Sequence, residues 1–422
     1  MSEHIDLLII GAGPAGMAAA LAAAARGVNI IVLDDNPLPG GQIWRDGPKV
    51  QLPANARRYR EALAHAPNIK VCNGTRVVAR IGHKRLLLED AERGWQLSYD
   101  KLILCTGARE LLLPFPGWTL PGVTGAGGLQ ALIKGGLPVR GESVVVAGSG
   151  PLLLASAASA KKAGANVLRI AEQASFSAVA GFAARLPTWP SKVLQALPLF
   201  NVRYRSSSHV LEALGDDRLR GVRLLQAGKT VELACERLAC GFGLIPNIEL
   251  GQALGCLIIN HAIAVDSWQT TSLDDHYAAG ECAGFGGSEL ALVEGAIAGH
   301  AAVGDQKKAH ALWVQRDHWQ AFADVLNTTF TLNPGLKMLS APDTLVCRCE
   351  DLNYATLQAC SGWTEAKLHS RCGMGACQGR VCGAAAHYLF DWTPPAPRPP
   401  FSPARIGTLT KMADEQIAEH PL

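Results

Sequence analysis

A glycine-rich turn close to the start of the chain constrains the fold more than any other feature. The short apolar run Leu7 to Ile10 leads into Gly11-Ala12-Gly13-Pro14-Ala15-Gly16, and an alanine-rich segment, predicted as a helix, follows to about Arg26. A second apolar run, 29–33, ends at Asp34. A strand, a glycine turn, a helix and a second strand that ends in an acid, all within about thirty residues, predict a dinucleotide-binding β-α-β unit.

Each residue type in this unit has a physical role in holding a dinucleotide. Gly11 permits the tight turn, Gly13 lets the backbone approach a pyrophosphate, and Gly16 lets helix and strand pack closely. The start of the helix offers unpaired N–H groups to the phosphates. An acid at the end of the second strand is placed to accept hydrogen bonds from the adenosine ribose, with its neighbour as a substitute. The predicted contacts are therefore Gly11, Gly13, Pro14, Ala15, Gly16, Asp34 and Asp35.

Three later segments extend the pattern: the 37–42 loop, the turn 106–108, and the segment 278–282 that precedes a small-residue helix from about Glu289 to Val303. Taken in this order, they resemble the flavoproteins with two dinucleotide domains, which include glutathione and thioredoxin reductases, over residues 1 to about 305. The resemblance implies FAD, with a backbone amide and a carboxylate of the last segment near the ribityl chain. That carboxylate is usually Asp in the family but is Glu here. The further FAD contacts implied are Gly41, Gln42, Thr106, Gly107, Gly280 and Glu281.

A second glycine unit is nested inside the first. A strand at Ser143 to Ala147 precedes the turn 148–153, a predicted helix runs to about Ala163, and a further strand covers 166–170. The unit resembles the NAD(P)-binding domain of the same flavoproteins, but Leu153 stands at the third glycine position and is expected to push the helix away from the strand. The candidate acid, Glu172, is predicted two residues past the strand end. An NAD(P) site, an adenine-nucleotide site and a vestigial site all stay open.

The cysteines divide into two groups. Reductases of this kind carry a CxxC or CxxxxC pair near the flavin, and residues 1–305 show no convincing pair. Single cysteines in apparent strands and loops are more often small core residues. A disulfide reductase is therefore not favoured. The scattered group is Cys72, Cys105, Cys235, Cys240, Cys256 and Cys282.

The second group contains six of the 12 cysteines and lies between Cys347 and Cys382. A CxC pair such as Cys347 and Cys349 does not easily close a disulfide on itself, yet it can place two thiolates on one iron. Zinc sites usually show CxxC spacing in both halves. Glycines around Cys377 would let backbone N–H groups point at sulfides. The pattern favours a 2Fe-2S cluster over zinc or unligated cysteines.

Five of these cysteines compete for four ligand positions, because Cys372 and Cys377 have the same spacing as Cys377 and Cys382. From about Leu345 to Phe390 the segment resembles the ferredoxin-like domain related to bacterioferritin-associated ferredoxin. In that domain the final cysteine pair lies at the start of a helix. In this chain, the segment that is best predicted as such a helix is 378–390. The resemblance makes Cys372 a loop residue outside the site. Cys360 lies on the face of a predicted helix and is expected to be a core residue. The predicted ligands are Cys347, Cys349, Cys377 and Cys382.

The predicted fold class is α/β, with two nested Rossmann-like dinucleotide-binding domains of the glutathione-reductase type and a small helical iron–sulfur domain. The predicted domains are an FAD-binding domain at 1–115 and 242–305, a second Rossmann-like domain at 116–241, a connector at 306–342, the iron–sulfur domain at 343–392, and a proline-rich tail at 393–422. The tail is expected to be polyproline-like and to lie along a surface, its own or a partner's.

Charge and hydropathy limit the partners and the location that we expect for this chain. The net charge is +3, and there is no basic stripe with interleaved aromatic residues, so nucleic acid is not a predicted partner. We predict neither a signal peptide nor a transmembrane helix. A cytoplasmic location is expected, and association with a membrane through an electron acceptor stays open.

The whole layout resembles the α (A) subunit of bacterial heteromeric amino-acid dehydrogenases and oxidases. That group includes the D-hydroxyproline and proline dehydrogenases, the octopine and nopaline oxidases, and hydrogen cyanide synthase. The GGQIW loop at 40–44 and the RCGMGACQGRVC segment at 371–382 carry the resemblance. It implies that a separate flavoprotein subunit oxidises the amine substrate and that this chain relays electrons. A small ferredoxin-like subunit is a further candidate partner. No catalytic acid–base pair is predicted. The alternative is a self-sufficient NAD(P)H-dependent FAD/iron–sulfur oxidoreductase.

Overall fold

The computed structural model describes residues 3–48 and 50–412, and the first body that it shows is a largely parallel sheet with helices on its faces. Its strands lie in the order β3-β2-β1-β6-β5-β4; β1, β2, β3 and β6 run parallel, whereas β4 and β5 form an antiparallel arm. The elements are β1 (Glu3–Ile10), α1 (Pro14–Ala24), β2 (Ile30–Asp34), α2 (Ala54–His65), β3 (Ile69–Asn73), β4 (Arg76–Gly82), β5 (Arg85–Glu89) and β6 (Gly94–Leu104).

The second body contains a parallel sheet with the strand order β11-β10-β9-β15-β8, covered on one side by the antiparallel meander β12-β13-β14. The elements are β7 (Ala108–Glu110), β8 (Val123–Gly125), α3 (Ala126–Lys134), β9 (Ser143–Gly148), α4 (Leu152–Lys162), β10 (Asn166–Glu172), α5 (Phe176–Arg185), α6 (Pro190–Ala196), β11 (Tyr204–Arg205), β12 (Ser208–Leu214), β13 (Gly221–Gln226), β14 (Lys229–Ala234), β15 (Arg237–Gly241) and β16 (Leu244–Pro246).

The chain then returns to the first sheet, where β19 pairs with β6, and continues into the connector and the cysteine module. This return confirms the predicted nesting of one Rossmann-like domain in the other. The elements are α7 (Glu249–Leu254), β17 (Ile258–Ile259), β18 (Ala262–Ile263), β19 (His276–Ala278), α8 (Gly287–Ala302), α9 (Gln306–Ala311), α10 (Trp313–Thr329), β20 (Leu345–Cys347), β21 (Leu352–Asn353), α11 (Tyr354–Gln358), α12 (Trp363–Ser370), α13 (Cys382–Phe390) and α14 (Ile406–Leu409).

Small residues bring α1 and α8 into close contact. A Cβ atom built on Gly295 would lie 2.1 Å from the Ala15 carbonyl oxygen, and one built on Gly299 would lie 2.3 Å from that of Ala19. Only glycine at these two positions of α8 allows the helix backbones to approach so closely. The contact fixes the first turn of α1, which is where the predicted dinucleotide contacts lie.

The second glycine unit differs from its prediction at two residues. Leu153 does not push α4 away from the sheet, because its side chain is fully buried against Gly241 of β15, a strand residue without a side chain. Glu172 is the last residue of β10 and does not lie two residues past the strand. The expected strand end at 170 was wrong because pairing with β9 continues from Ile170 through Glu172.

The cysteine module contains two short helices, α11 and α12, but its final helix is shorter than predicted. Helix α13 begins at Cys382, whereas the expected helix spans 378–390. Gln378 and Gly379 have φ angles of +51° and +78°, so the segment before Cys382 turns in the left-handed region and does not continue a helix.

The tail lies along the chain's own surface as far as residue 412; residues 413–422 lie outside the described part. The Phe401 N–H donates to the Val78 carbonyl (2.7 Å), and the Arg405 N–H donates to the Glu89 carboxylate (2.9 Å). Thr408 is buried against Gly94. The tail therefore packs on the antiparallel arm of the first sheet. Within residues 3–48 and 50–412, no helix has both the length and the apolar character needed to cross a bilayer.

A candidate flavin site and a cysteine centre

The first glycine turn contains two glycines that packing requires and one that faces open space. A Cβ built on Gly11 would lie 2.1 Å from the Cys105 carbonyl oxygen, and one on Gly16 would lie 1.8 Å from that of Gly11. At Gly13 the nearest atom to a built Cβ is the Gly41 Cα, 4.0 Å away. No described residue accepts a hydrogen bond from the Gly13 N–H. The turn thus leaves a cradle at Gly13 that fits a pyrophosphate.

The predicted ribose acid lies directly behind this turn. The Asp34 side chain is buried, and its carboxylate accepts hydrogen bonds from the Ala12 N–H (2.6 Å) and from the backbone and side-chain amides of Asn36 (both 2.8 Å). Asp35 is exposed and contacts the Asn36 amide at 3.1 Å. Asp34 therefore braces the glycine turn, and the ribose contact of either acid stays a prediction.

The 37–42 loop lies against the same turn. The Gly40 N–H donates to the Ala12 carbonyl (2.8 Å), and Gly41, with a φ of +59°, packs on Gly13. Gln42 is exposed and accepts a hydrogen bond from Arg45 (2.8 Å). The loop thus forms one wall of the cradle, and its contact with a cofactor stays a prediction.

Thr106 and Gly107 are held by a residue that the sequence did not single out. The Thr106 hydroxyl donates to the Asn247 carbonyl (2.6 Å), the Asn247 side-chain amide donates to the Thr106 carbonyl (2.9 Å), and the Asn247 N–H donates to the Gly107 carbonyl (2.9 Å). Asn247 lies 141 residues further along the chain, so only the three-dimensional fold reveals its role.

A buried cysteine centre lies in the C-terminal module. The sulfur atoms of Cys347, Cys372 and Cys382 all lie within 4.8 Å of one another, and all three residues are buried. Cys347 ends β20, Cys372 follows α12, and Cys382 begins α13. Hydrogen bonds from the thiols of Cys372 and Cys382 lower the pKa of Cys347. Thiolates in this arrangement suit iron or zinc.

The buried centre contains two of the four predicted ligands and one cysteine that was not predicted. Cys372 lies inside the centre and not outside it as expected, whereas Cys377 is only half-buried and Cys349 is exposed. Cys377 lies just before the left-handed turn at Gln378 and Gly379 and outside the buried group. Cys349 packs against Gly375, since a Cβ built on Gly375 would lie 2.2 Å from the Cys349 Cβ. The complete ligand set stays a prediction.

An arginine joins the two sites. Arg109, three residues after Thr106, donates from its guanidinium to the Asn247 side chain (2.8 Å) and to the Arg380 carbonyl (3.1 Å), and it pairs with Glu249 (2.8 Å). Arg380 lies two residues before Cys382. The cysteine centre is thus connected to the Thr106 loop through one side chain.

A second contact lies beside this arginine. The Trp118 indole donates to the Leu345 carbonyl (2.5 Å), and the Arg348 guanidinium lies 5.4 Å from the centre of the Trp118 ring. Leu345 and Arg348 flank Cys347. Both cysteine-bearing segments of the module therefore rest on the body.

The part of the chain that contains the candidate flavin site matches a known family. Residues 5–300 match the model of a family described as pyridine nucleotide-disulphide oxidoreductase. The chain belongs to this family. Membership supports FAD as the cofactor and confirms the flavin-type Rossmann fold that the glycine turns predicted.

Within this oxidoreductase family, the chain is similar along almost its full length to components of multi-chain enzymes. It is 31% identical to the hydrogen cyanide synthase subunit HcnB of Pseudomonas protegens, covering 99% of both chains. It is also 31% identical to the opine oxidase A subunit of Rhizobium meliloti, covering 97% of this chain and 85% of that one. The fold is similar to that of L-proline dehydrogenase from P. horikoshii, with a TM-score of 0.66 at 18% identity, over 97% of this chain and 80% of the other.

Two glutamates of this family member, one in the last flavin segment and one on the following helix α8, have different surroundings. The Gly280 N–H donates to the buried carboxylate of Glu294 on α8 (2.8 Å), so this amide is already paired. No donor among the described residues contacts the Glu281 carboxylate, and burial raises its pKa. Glu281 follows Gly280, which packs on Ala15 at the start of α1. An unpaired, desolvated carboxylate beside the cradle suits a hydroxyl group of the cofactor.

Glu294 gives the stability of this oxidoreductase a pH dependence that can be measured. Burial raises its pKa to about 7, which the Gly280 N–H and Arg316 only partly offset. A raised pKa means that the folded state holds the proton more tightly, so stability is greatest below the unfolded pKa near 4.5 and falls as the pH rises through 7. We expect Glu294→Gln to remove this slope and to gain about 2–3 kcal/mol at pH 8.

Urea unfolding of the FAD-saturated protein between pH 4.5 and 8 measures the effect. Glu61→Gln, at an exposed position on α2, is the matched control and should follow the wild-type profile. A Glu294→Gln profile that keeps the wild-type slope would show that Glu294 is not its source.

Proposed function

We propose that this chain is the electron-transferring flavoprotein and iron–sulfur subunit of a heteromeric dehydrogenase that oxidises an amino acid, an imino acid or an opine; D-hydroxyproline is one example. A separate flavoprotein subunit oxidises the substrate, and this chain passes the electrons to an acceptor. A small ferredoxin-like subunit is a further candidate component of the enzyme. The nearly full-length similarity to HcnB and to the opine oxidase A subunit supports this role as one component of a larger enzyme.

The observation that carries the proposal is the connection between the two sites. Thr106 is clamped by Asn247, Asn247 is bonded to Arg109, and Arg109 is bonded to the Arg380 carbonyl, two residues from Cys382. Hydrogen-bonded chain segments of this kind hold two redox sites at one fixed separation.

The cofactors divide the chemistry: FAD accepts an electron pair as hydride, and an iron–sulfur cluster passes single electrons. The residues present fit both groups. Gly13 and Gly41 leave the cradle for FAD, and the proposed cluster ligands are Cys347, Cys349, Cys377 and Cys382. Cys372, which the cysteine spacing already left as a competitor, lies in the buried centre. Burial of Cys347 and Cys382 keeps water from their sulfur atoms.

Purification from the native host tests the proposal. We expect the chain to co-purify with a second flavoprotein, and the complex to oxidise a D- or L-imino acid or an opine with a dye as acceptor. The separated chain should contain FAD and iron but should oxidise none of these substrates, and NAD(P)H should not bleach its flavin. A chain that purifies alone and turns over its own substrate would contradict the proposal.

A further inference from the structure

The second glycine turn, 148–150, is the place where the family fold implies a pyridine or adenine nucleotide. It does not have the open cradle of the first turn. The Ser149 hydroxyl donates to the Phe330 carbonyl (2.9 Å), and a Cβ built on Gly150 would lie 3.8 Å from the Phe330 ring. Phe330 itself packs edge-on against Phe182 of α5, with ring centres 5.3 Å apart. A segment of the connector therefore covers the turn.

One buried glutamine fastens this segment. The Gln173 side-chain amide donates to the Ser149 hydroxyl (2.9 Å) and to the Thr331 carbonyl (3.0 Å), and its oxygen accepts the Asn333 N–H (3.0 Å). Only 7% of Gln173 is exposed. The hydrogen-bonding groups of its side chain thus all bond to the connector and the turn, and none is directed at a ligand.

The backbone N–H groups of the second turn are also less available to bind a phosphate than those of the first. The Gly150 N–H donates to the Glu172 carboxylate (2.7 Å), whereas no described residue accepts from the equivalent Gly13 N–H. The longer Glu172 side chain reaches one residue further along its turn than Asp34, which accepts from Ala12. The amide that would face a pyrophosphate is therefore already paired.

We infer that residues 330–333 permanently occupy the nucleotide position of the second domain, so that this chain binds neither NAD(P) nor an adenine nucleotide there. The turn instead anchors the connector. The anchored segment continues into the cysteine module: the Tyr388 hydroxyl donates to the Asn333 carbonyl (3.3 Å), and Lys337 pairs with Asp391 (3.3 Å). The former nucleotide site thus positions helix α13, which begins at Cys382. The inference does not depend on the proposed electron relay.

Titration calorimetry on the FAD-loaded, full-length wild-type chain tests the first half of the inference. NADH, NADPH, ADP and ATP should show no saturable binding up to concentrations on the order of 1 mM, the weak end of specific affinity. Saturable 1:1 binding of any of them, with protection of residues 148–150 from hydrogen exchange, would overturn it. This test uses the unaltered chain and so does not depend on the folding of a variant.

Hydrogen exchange of a variant tests the anchoring half. Gln173→Ala removes three hydrogen bonds to the turn and connector, so amides in 330–340 should exchange roughly tenfold faster while FAD content stays unchanged. Gln130→Ala is the matched control, because that amide contacts Ser159 (3.3 Å), away from the turn. Wild-type exchange rates in 330–340 of the Gln173→Ala protein would overturn the anchoring role.

Discussion

The Cys382→Ser variant should lose its iron–sulfur absorbance, and electron transfer to the acceptor should fall at least roughly 100-fold, while FAD stays bound. Cys382 belongs both to the ligand set predicted from the sequence and to the buried centre in the structure. It is the first residue of α13, so the helix holds its sulfur in place. A serine hydroxyl in the same place is a poorer ligand for iron than a thiolate.

Iron per chain, FAD per chain and the electron paramagnetic resonance spectrum of the reduced protein measure this loss. Cys360→Ser is the matched control, because Cys360 lies in the same module but outside the centre and contacts the Thr356 carbonyl (3.6 Å). It should keep full iron content. A Cys382→Ser protein with wild-type iron and an unchanged spectrum would contradict the assignment.

The same measurements on Cys372→Ser and Cys377→Ser decide which of these two cysteines is a cluster ligand. If Cys377 is the ligand, as predicted, Cys377→Ser loses the cluster and Cys372→Ser keeps it. The reverse result would assign Cys372, whose sulfur already lies within 4.8 Å of those of Cys347 and Cys382.

The Gly13→Val variant should fold normally and yet bind FAD roughly 100-fold more weakly. The cradle at Gly13 contains no described protein atom closer than 4.0 Å to a built Cβ, so a side chain there should fill the space predicted for the pyrophosphate without disturbing the core. Gly16→Val should behave differently. Its Cβ would lie 1.8 Å from the Gly11 carbonyl oxygen, so this variant should unfold.

FAD content after gel filtration and the melting temperature of the FAD-free protein separate the two effects. Gly181→Ala, at an open position on α5 with no described atom within 4 Å of its built Cβ, is the control and should change neither quantity appreciably. If Gly13→Val retained FAD at wild-type affinity, the phosphates would have to lie elsewhere.

The first dinucleotide unit could be predicted because its determinants are local. The constraints on Gly11, Gly13 and Gly16 act within one turn, and the strand and helix beside them follow from apolar periodicity. The strands and the helix of the second unit could be predicted equally well, but the way in which Leu153 packs could not. That depends on Gly241, a glycine in a strand far along the chain.

Contacts between distant segments could not be predicted in the same way. Phe330 meets Ser149 across 181 residues, and neither residue belongs to a motif that suggests the pairing. Cysteine spacing likewise left Cys372 and Cys377 equivalent, and the left-handed turn at Gln378 and Gly379, which delays the start of α13 to Cys382, was not predicted. A single positive-φ residue that is not glycine gives little signal in a sequence.

The tail has a consequence for how the cysteine module can move. The module is attached at its start by the connector, through Asn333 and Lys337, and at its end by the tail, through Phe401 and Arg405 on the antiparallel arm. A domain tethered at one end can swing between partners, as mobile carrier domains do. This one is tethered at both, so it cannot shuttle. In the proposed relay the acceptor is therefore expected to come to the module, where Cys349 is exposed and Cys377 is half-buried.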